Sequence, residues 1–418
     1  MVGWEPTRRT RLAPSLPDAD ESLRELSELT TSAGGAVAGM LLQRSPEPDP
    51  AMLVGRGKVH EIRALAHAAG ADLAIFDHDL TPTQLRNLEQ ALDLKVLDRT
   101  QLILDIFARR ARSREGQLQV ELAQLNYLLP RLSGRGTLLS RLGGGIGTRG
   151  PGEQQLEYDR RRIRARIRTL RAAIERVRSQ RALHRARRRD QHFLTVALVG
   201  YTNSGKSTLF NVLTSASVPT SSRLFATLDP TVRALALESG QPVLLSDTVG
   251  FIRKLPAHLV AAFRATLEEL ADASLLLHVT DASDPRHESQ DAAVEGMLET
   301  LEIASKPRVH VWNKIDLLDA LGRRRLAAGP REVAVSARTG EGLDLLLQRI
   351  DEALVEDPIV EADFELSPAD GEGLALLGRS GTVLSTRFEE DRIRVRARVR
   401  ASLRERLKVW PEKPLTDR

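Results

Sequence analysis

The spacing of apolar positions changes several times along this 418-residue chain, and each change marks a different kind of element. Between Ala36 and Ala111, short apolar runs alternate with helical spacing. Ala36 to Leu42 and Leu73 to Phe76 read as strands, and Lys58 to Ala69 as a helix. Thr81 followed by Pro82 supplies the cap and first turn of a helix running to Leu92. A short strand at Val96 and Leu97 and a helix from Arg99 to Arg110 complete the unit. Strands alternating with helices favour a largely parallel sheet. The period then becomes purely helical. Leu118, Leu122, Leu125, Leu129 and Leu132 form one stripe, and Leu156, Ile163, Ile167, Leu170, Ile174 and Val177 form another beyond a Gly-rich gap. Neither helix buries its stripe alone, so the two predict an antiparallel hairpin.

Strand–helix alternation returns from Phe193 to about Leu354, with strands expected near residues 194–199, 232–237, 243–246, 275–281, 308–312 and 333–335. After Pro358, Val360, Ala362, Phe364 and Leu366 alternate with acids, and Ile393, Val395, Ala397 and Val399 alternate with arginines, as half-buried strands do. The expected fold is α/β: a P-loop nucleotide domain preceded by a small parallel α/β domain and an antiparallel helical hairpin, and followed by a small α+β tail. The boundaries predicted are a flexible lead-in at 1–35, the N-terminal domain at 36–115, the hairpin at 116–190, the nucleotide domain at 191–356 and the tail at 357–418.

Composition narrows the functional classes. With 41% hydrophobic residues there is material for several cores, yet no run approaches the ~20 apolar residues needed to span a bilayer. The first residues carry charge with no apolar stretch behind them, so a secretory signal is not expected. The absence of cysteine excludes disulfides, thiolate zinc sites and cysteine nucleophiles, and fits a cytoplasmic protein. A net charge of +5 is small, so its placing matters more than its sum. Aromatics at 4% argue against recognition by base stacking.

The chemistry lies in runs that each follow a strand. Gly200-Tyr201-Thr202-Asn203-Ser204-Gly205-Lys206-Ser207 follows TVALV and opens a helix, the context a phosphate-binding loop requires. Glycines let backbone N–H groups converge on phosphates, and the helix N-terminus adds its dipole. Gly200, Asn203, Ser204, Gly205 and Thr208 are therefore nucleotide-binding candidates; Lys206 would reach the outer phosphates and Ser207 would hold magnesium. Asp247 ends a strand where it can hold a magnesium-bound water, and Gly250 would offer its N–H to the last phosphate. In Asn313-Lys314-Ile315-Asp316, the Asp316 carboxylate can accept from both N1–H and N2–H of guanine, whereas adenine would face it with a lone pair. Asn313 and Lys314 would pack the base and brace the phosphate loop, while Ser336 and Ala337 offer a backbone contact to the guanine oxygen. The expected ligands are GTP and GDP, and the expected cofactor is Mg2+. Thr227 is the candidate for a second magnesium hydroxyl, sensing the last phosphate, with Thr231 and Thr220 as rivals by position. Lys206, Thr227 and Gly250 are thus the catalytic candidates. Phe251 stands where a water-orienting glutamine would be useful, so hydrolysis should be slow until a partner completes the site.

A second kind of chemistry sits in the hairpin. Residues 134–152 hold eight glycines with Arg135, Arg141 and Arg149 and no acid. Residues 160–189 hold fourteen arginines against one acid, Glu175. A solvated helix face ordinarily mixes signs, so this surface predicts RNA or another polyanion as partner. In the tail, Arg392, Arg394, Arg396, Arg398 and Arg400 line one strand face and would instead pair with Glu361, Asp363 and Glu365 if the two strands are neighbours. Gly55-Arg56-Gly57-Lys58 before a helix reads more readily as a turn or an RNA-backbone contact than as a second nucleotide site. Asp77-His78-Asp79 reads as a polar turn rather than a metal site, and His258 has no decided role.

The runs GYTNSGKSTLFN, LFATLDPT, DTVGFI, NKID and SAR, with GRGKV, VLDRTQLILDIFARRA, LQVELAQLNYLLPRL and GGGIGTRGPGE upstream, resemble the HflX family of translational GTPases from about residue 50 to 355. Gln154 departs from the threonine expected there. The resemblance implies a cytosolic GTPase that binds the large ribosomal subunit, reaching its RNA through the N-terminal domain and the hairpin loop, and helps dissociate or rescue stalled ribosomes; a monomer is expected. Two other classes compete with this expectation: a switch whose partner is a protein docking the arginine helix, and a nucleotide-driven RNA-remodelling or assembly factor.

Overall fold

The computed structural model describes residues 1–7, 19–132, 151–190, 193–216, 224–225, 229–239, 242–254, 269–326, 329–355, 359–367, 371–388, 392–400, 403–404 and 407. The N-terminal sheet is parallel throughout, in the order β2-β1-β3-β4, with β1 at Val2–Pro6, β2 at Leu41–Ser45, β3 at Leu73–Phe76 and β4 at Lys95–Asp98. Helices α1 (Ala19–Ser32), α2 (Arg56–Ala69), α3 (Pro82–Leu92) and α4 (Arg99–Arg110) surround it. The Thr81 cap forms with its reciprocal Gln84 bond.

The expectation of a flexible lead-in over 1–35 is corrected here. β1 lies inside the sheet, and α1 buries Leu23, Leu26 and Leu29, a stripe too short and too interleaved with acids to stand out in the sequence. β2 is likewise displaced from the expected Ala36 start. Its register, Val2↔Leu41 through Pro6↔Ser45, is set by a partner strand that the sequence pattern does not reveal.

Helices α5 (Arg114–Arg131) and α6 (Pro151–Asp190) form the hairpin. Arg166 meets Glu121 and Arg181 meets Glu115, so one chain number rises as the other falls and the pair is antiparallel. Helix α5 has two contact faces. Val120, Ala123 and Tyr127 join the core that also holds α1 and α4, while the leucine stripe stays half-buried. From α6, Ile167 and Leu170 are buried.

The nucleotide-type sheet has the order β10-β9-β8-β5-β7-β6. Its strands are β5 (Leu194–Val199), β6 (Thr231–Leu235), β7 (Val243–Asp247), β8 (Leu275–Asp281), β9 (Arg308–Asn313) and β10 (Glu332–Ala334), parallel except for β6. Helices α7 (Lys206–Thr214), α8 (His287–Thr300), α9 (Ala320–Arg325) and α10 (Leu343–Val355) follow in chain order. One apolar core runs without a break from α1, α4 and α5 into this sheet, through Phe225, Val249, Phe251 and Ile252. The segments beside the phosphate loop are therefore packed on the N-terminal half.

The tail is an antiparallel sheet ordered β11-β13-β12, with β11 at Ile359–Leu366, β12 at Gly381–Phe388 and β13 at Ile393–Arg400, and with helix α11 (Gly371–Ser380) joining β11 to β12. Its register sets Glu361 opposite Arg398, Asp363 opposite Arg396 and Glu365 opposite Arg394. All three pairs form ion pairs, so these arginines are engaged within the sheet.

Candidate functional site

The phosphate loop joins β5 to α7, at the end of a central strand whose residues Val196 to Val199 are wholly buried. Two glycines in it are obligatory. A Cβ on Gly200 (φ 150°) would lie 2.2 Å from the Val279 carbonyl oxygen, and one on Gly205 (φ 94°) would lie 2.2 Å from Asn313 Nδ2. Asn203 also takes a left-handed φ of 63° and stays exposed at the loop's tip. Thr208 follows in the first turn of α7.

Lys206, the first residue of α7, is 5% exposed, and its Nζ donates to the carbonyl oxygens of Gly200 at 3.1 Å and Tyr201 at 2.6 Å. Burial pushes its pKa down to about 8, with Asp247 opposing the shift and Lys314 adding to it. A buried ammonium held, among the described residues, by two carbonyls suits a site that receives an anion. Ser207 Oγ donates to Asp247 Oδ2 at 2.7 Å, and Asp247 is fully buried at the end of β7. A hydroxyl and a carboxylate side by side are the hard oxygen donors that Mg2+ prefers, so the residues present fit that cofactor.

The folded-state pKa of Lys206 lies below the ~10.4 of an unfolded lysine. The unfolded chain then binds more protons between about pH 8 and pH 10, so the empty protein gains stability as pH rises through that window. A polyphosphate would restore the charge. Nucleotide affinity should therefore fall by up to about tenfold per pH unit above 8, with proton uptake on binding. Calorimetry at pH 8.5 in two buffers of different ionisation enthalpy measures this directly, and identical heats in both would contradict it.

The loops that carry Asn313, Lys314 and Asp316, and Ser336 and Ala337, are preassembled. Asn313 is 1% exposed, donates from Nδ2 to the Ser204 carbonyl at 2.9 Å and accepts from Ala337 N–H at 3.1 Å, so it ties the phosphate loop to the 336–337 loop. Lys314 takes a left-handed φ of 65°, and its Nζ lies 2.6 Å from Asp281 Oδ2. Ser336 Oγ donates to Asp316 Oδ1 at 2.7 Å. Gly200, Asn203, Ser204, Gly205, Lys206, Ser207, Thr208, Asp247, Gly250, Asn313, Lys314, Asp316, Ser336 and Ala337 thus gather at one end of the sheet. Thr227, its rival Thr220, the hairpin-loop residues Arg135, Arg141 and Arg149, and His258 lie outside the described residues. The other rival, Thr231, opens β6 and pairs with Asp247 across the sheet.

Beyond β7, the chain bridges back to the phosphate loop. Phe251 N–H donates to the Gly200 carbonyl at 3.0 Å, and Thr202 N–H donates to the Phe251 carbonyl at 2.8 Å. Gly250 fits because a Cβ there would sit 2.8 Å from Thr202 Cα. The Phe251 ring is 4% exposed inside the shared core, so it packs and has no polar group with which to orient water.

The buried charges behind this bridge leave no mark in the sequence pattern. Arg99, 2% exposed, binds Glu25, donates to Asp77 Oδ1 at 2.7 Å and reaches the Arg253 carbonyl at 3.2 Å. Glu25 also accepts from Tyr201 Oη at 2.6 Å, and Lys254 Nζ lies 2.5 Å from Asp77 Oδ2. Burial opposes charge on Asp77, but Arg99 and Lys254 outweigh it and hold the carboxyl below the usual range. Asp77 is therefore an ion-pair partner of Arg99 and Lys254. Asp79 accepts from Thr100, and among the described residues no group of three or more His, Cys, Asp or Glu is set to hold a metal. Gly55 caps α2, and Lys58 pairs with Glu61 at 2.6 Å, as in an ordinary turn.

On α6, Arg161, Arg166, Arg178 and Arg181 have acidic partners. Arg164, Arg168 and Arg171 are exposed at i, i+4 and i+7, with no acid at ion-pairing distance among the described residues.

Comparison with known proteins places these features together. Family models described as "GTP-binding GTPase N-terminal", "GTP-binding GTPase Middle Region" and "50S ribosome-binding GTPase" match residues 20–108, 110–188 and 195–314. The chain is 48% identical over 394 residues to the GTPase HflX of Caldanaerobacter subterraneus subsp. tengcongensis, covering 94% of this chain and 91% of that one. It is 47% identical over 354 residues to the GTPase HflX of Escherichia coli K12, covering 84% and 83%. A solved GTP-binding protein from the archaeon Sulfolobus solfataricus, in complex with GDP, aligns with 85% of this chain and 99% of its own at 22% identity and a TM-score of 0.42.

Proposed function

The chain belongs to the HflX family of GTPases, and on that footing we propose that it is a cytoplasmic switch that binds the large ribosomal subunit and promotes dissociation or rescue of stalled ribosomes. It hydrolyses GTP and uses Mg2+. The description "50S ribosome-binding GTPase" for the model matching residues 195–314 supports the choice of ribosomal partner. Among the described residues no helix is long and apolar enough to cross a membrane.

In this reading Ser207 and Thr227 would hold Mg2+, which would supply positive charge to offset that of the phosphates. Lys206 neutralises the outer phosphates from the loop floor, and the Gly250 N–H meets the last phosphate. Asp316 selects guanine. With Phe251 buried, intrinsic hydrolysis is slow, and a group from the ribosome completes the site.

The observation that carries the ribosomal reading is the arginine stripe on α6 that has no acidic partner among the described residues, fixed to the nucleotide domain through α5 and the shared core. Each arginine engaged with phosphate contributes about 0.7–0.9 to the slope of log affinity against log salt. Changing Arg164, Arg168 and Arg171 together to Gln should then lower that slope for large-subunit binding by about 2 to 3, with GTP affinity unchanged. A salt titration followed by sedimentation measures it; an unchanged slope would remove this face from the interface.

A further inference from the structure

Helix α4 runs between the two segments that flank the nucleotide site. At its start Arg99 holds the Arg253 carbonyl, and along its length Phe107 packs edge-on against Phe225, with ring centroids 4.6 Å apart. Just past its end, at the junction with α5, stands Asp229. Its Oδ2 accepts from the backbone N–H of Arg112 at 2.9 Å and of Ser113 at 2.7 Å, and its Oδ1 accepts from Ser113 Oγ. Ser113 Oγ accepts in turn from Gly116 N–H at 2.9 Å, capping α5. A Cβ on Gly116 would come within 2.5 Å of Asp229 Oδ1, so this approach needs glycine there.

Asp229 is thus a carboxylate from the nucleotide domain seated on the first turn of the hairpin, where the helix dipole favours negative charge. Its connection back to the site is short. Pro230 follows it, then Thr231, which pairs in register with Asp247, the partner of Ser207. Its connection outward is also short, because Glu115 in the same turn holds Arg181 of α6 at 2.8 Å.

We propose that Asp229 is a positioning residue that passes the state of the nucleotide site to the helical hairpin, by making or releasing the cap of α5. The role of that hairpin in binding the ribosome rests on the function proposed above; the coupling itself does not.

The test is hydrogen exchange at the amides of Arg112, Ser113 and Gly116 in the full chain, with GDP and with a non-hydrolysable GTP analogue. In the unaltered protein the two nucleotides should give rates differing about fivefold or more, the scale of gaining or losing a helix cap. Asp229→Ala should remove that difference and, because coupling is reciprocal, change the ratio of the two nucleotides' affinities by about the same factor and no more. A merely structural cap would raise both rates in Asp229→Ala and preserve their ratio, which overturns the proposal. Equal rates in the unaltered protein overturn it too. Should Asp229→Ala fail to fold, Ser113→Ala removes the hydroxyl relay alone and should shrink the ratio; an unchanged ratio there also counts against the coupling. Sedimentation of the same samples with large subunits separates the two claims. Lost subunit binding with an intact exchange difference would fault the ribosomal reading alone.

Discussion

Asp316→Asn should lower affinity for GTP by about a thousandfold or more and raise affinity for xanthosine triphosphate, as read by competition against a fluorescent guanine nucleotide. The carboxylate is held ready by Ser336 Oγ at 2.7 Å and can accept from both N1–H and N2–H of guanine. An asparagine can accept from only one of these and turns its own N–H2 toward the other, leaving two donors face to face. Sites built to hydrogen-bond a group discriminate by about 10^4 to 10^5 against a ligand that leaves them unpaired, far beyond what apolar fit supplies. Xanthine carries an oxygen at position 2, which the asparagine amide can meet. If Asp316→Asn kept its preference for GTP, guanine selection would lie elsewhere, and a nucleotide-driven RNA-remodelling reading would gain ground.

Lys206→Met should cut single-turnover GTP hydrolysis by about 10^3 to 10^5, the range seen when a cation that neutralises a transferring phosphoryl group is removed. The same substitution should leave the empty protein as stable as before, or more stable. The ammonium is fully buried on two carbonyls and its pKa is pushed down to about 8, so an apolar chain of similar length removes a desolvation cost. Activity and stability then move apart. Loss of both together, seen by thermal unfolding without nucleotide, would assign Lys206 a structural role instead.

The nucleotide loops were legible because each is one contiguous run placed by the strand before it: GYTNSGKS after β5, DTVG from the end of β7 and NKID from the end of β9. Periodicity likewise located the hairpin and the tail strands, and adjacency in the tail sheet decided that its arginines pair with acids. What the sequence hid lies between distant positions. Tyr201 meets Glu25 across 176 residues, Lys254 meets Asp77 across 177, and Asp229 meets Ser113 across 116. Buried polar groups must find partners, but nothing local says which ones. The N-terminal strand and α1 were missed for a related reason, since their apolar stripes are short and become decisive only once the partner sheet and the shared core exist.

In the function proposed, GTP places this chain on the large ribosomal subunit. Co-sedimentation with purified large and small subunits, in a non-hydrolysable GTP analogue and in GDP, at low and moderate salt, tests it most directly. Binding to the large subunit that is stronger in the analogue and weakens with salt is the predicted result. Equal or absent binding to the two subunits in both nucleotides would contradict it, and would turn the search toward a protein partner for the arginine face of α6.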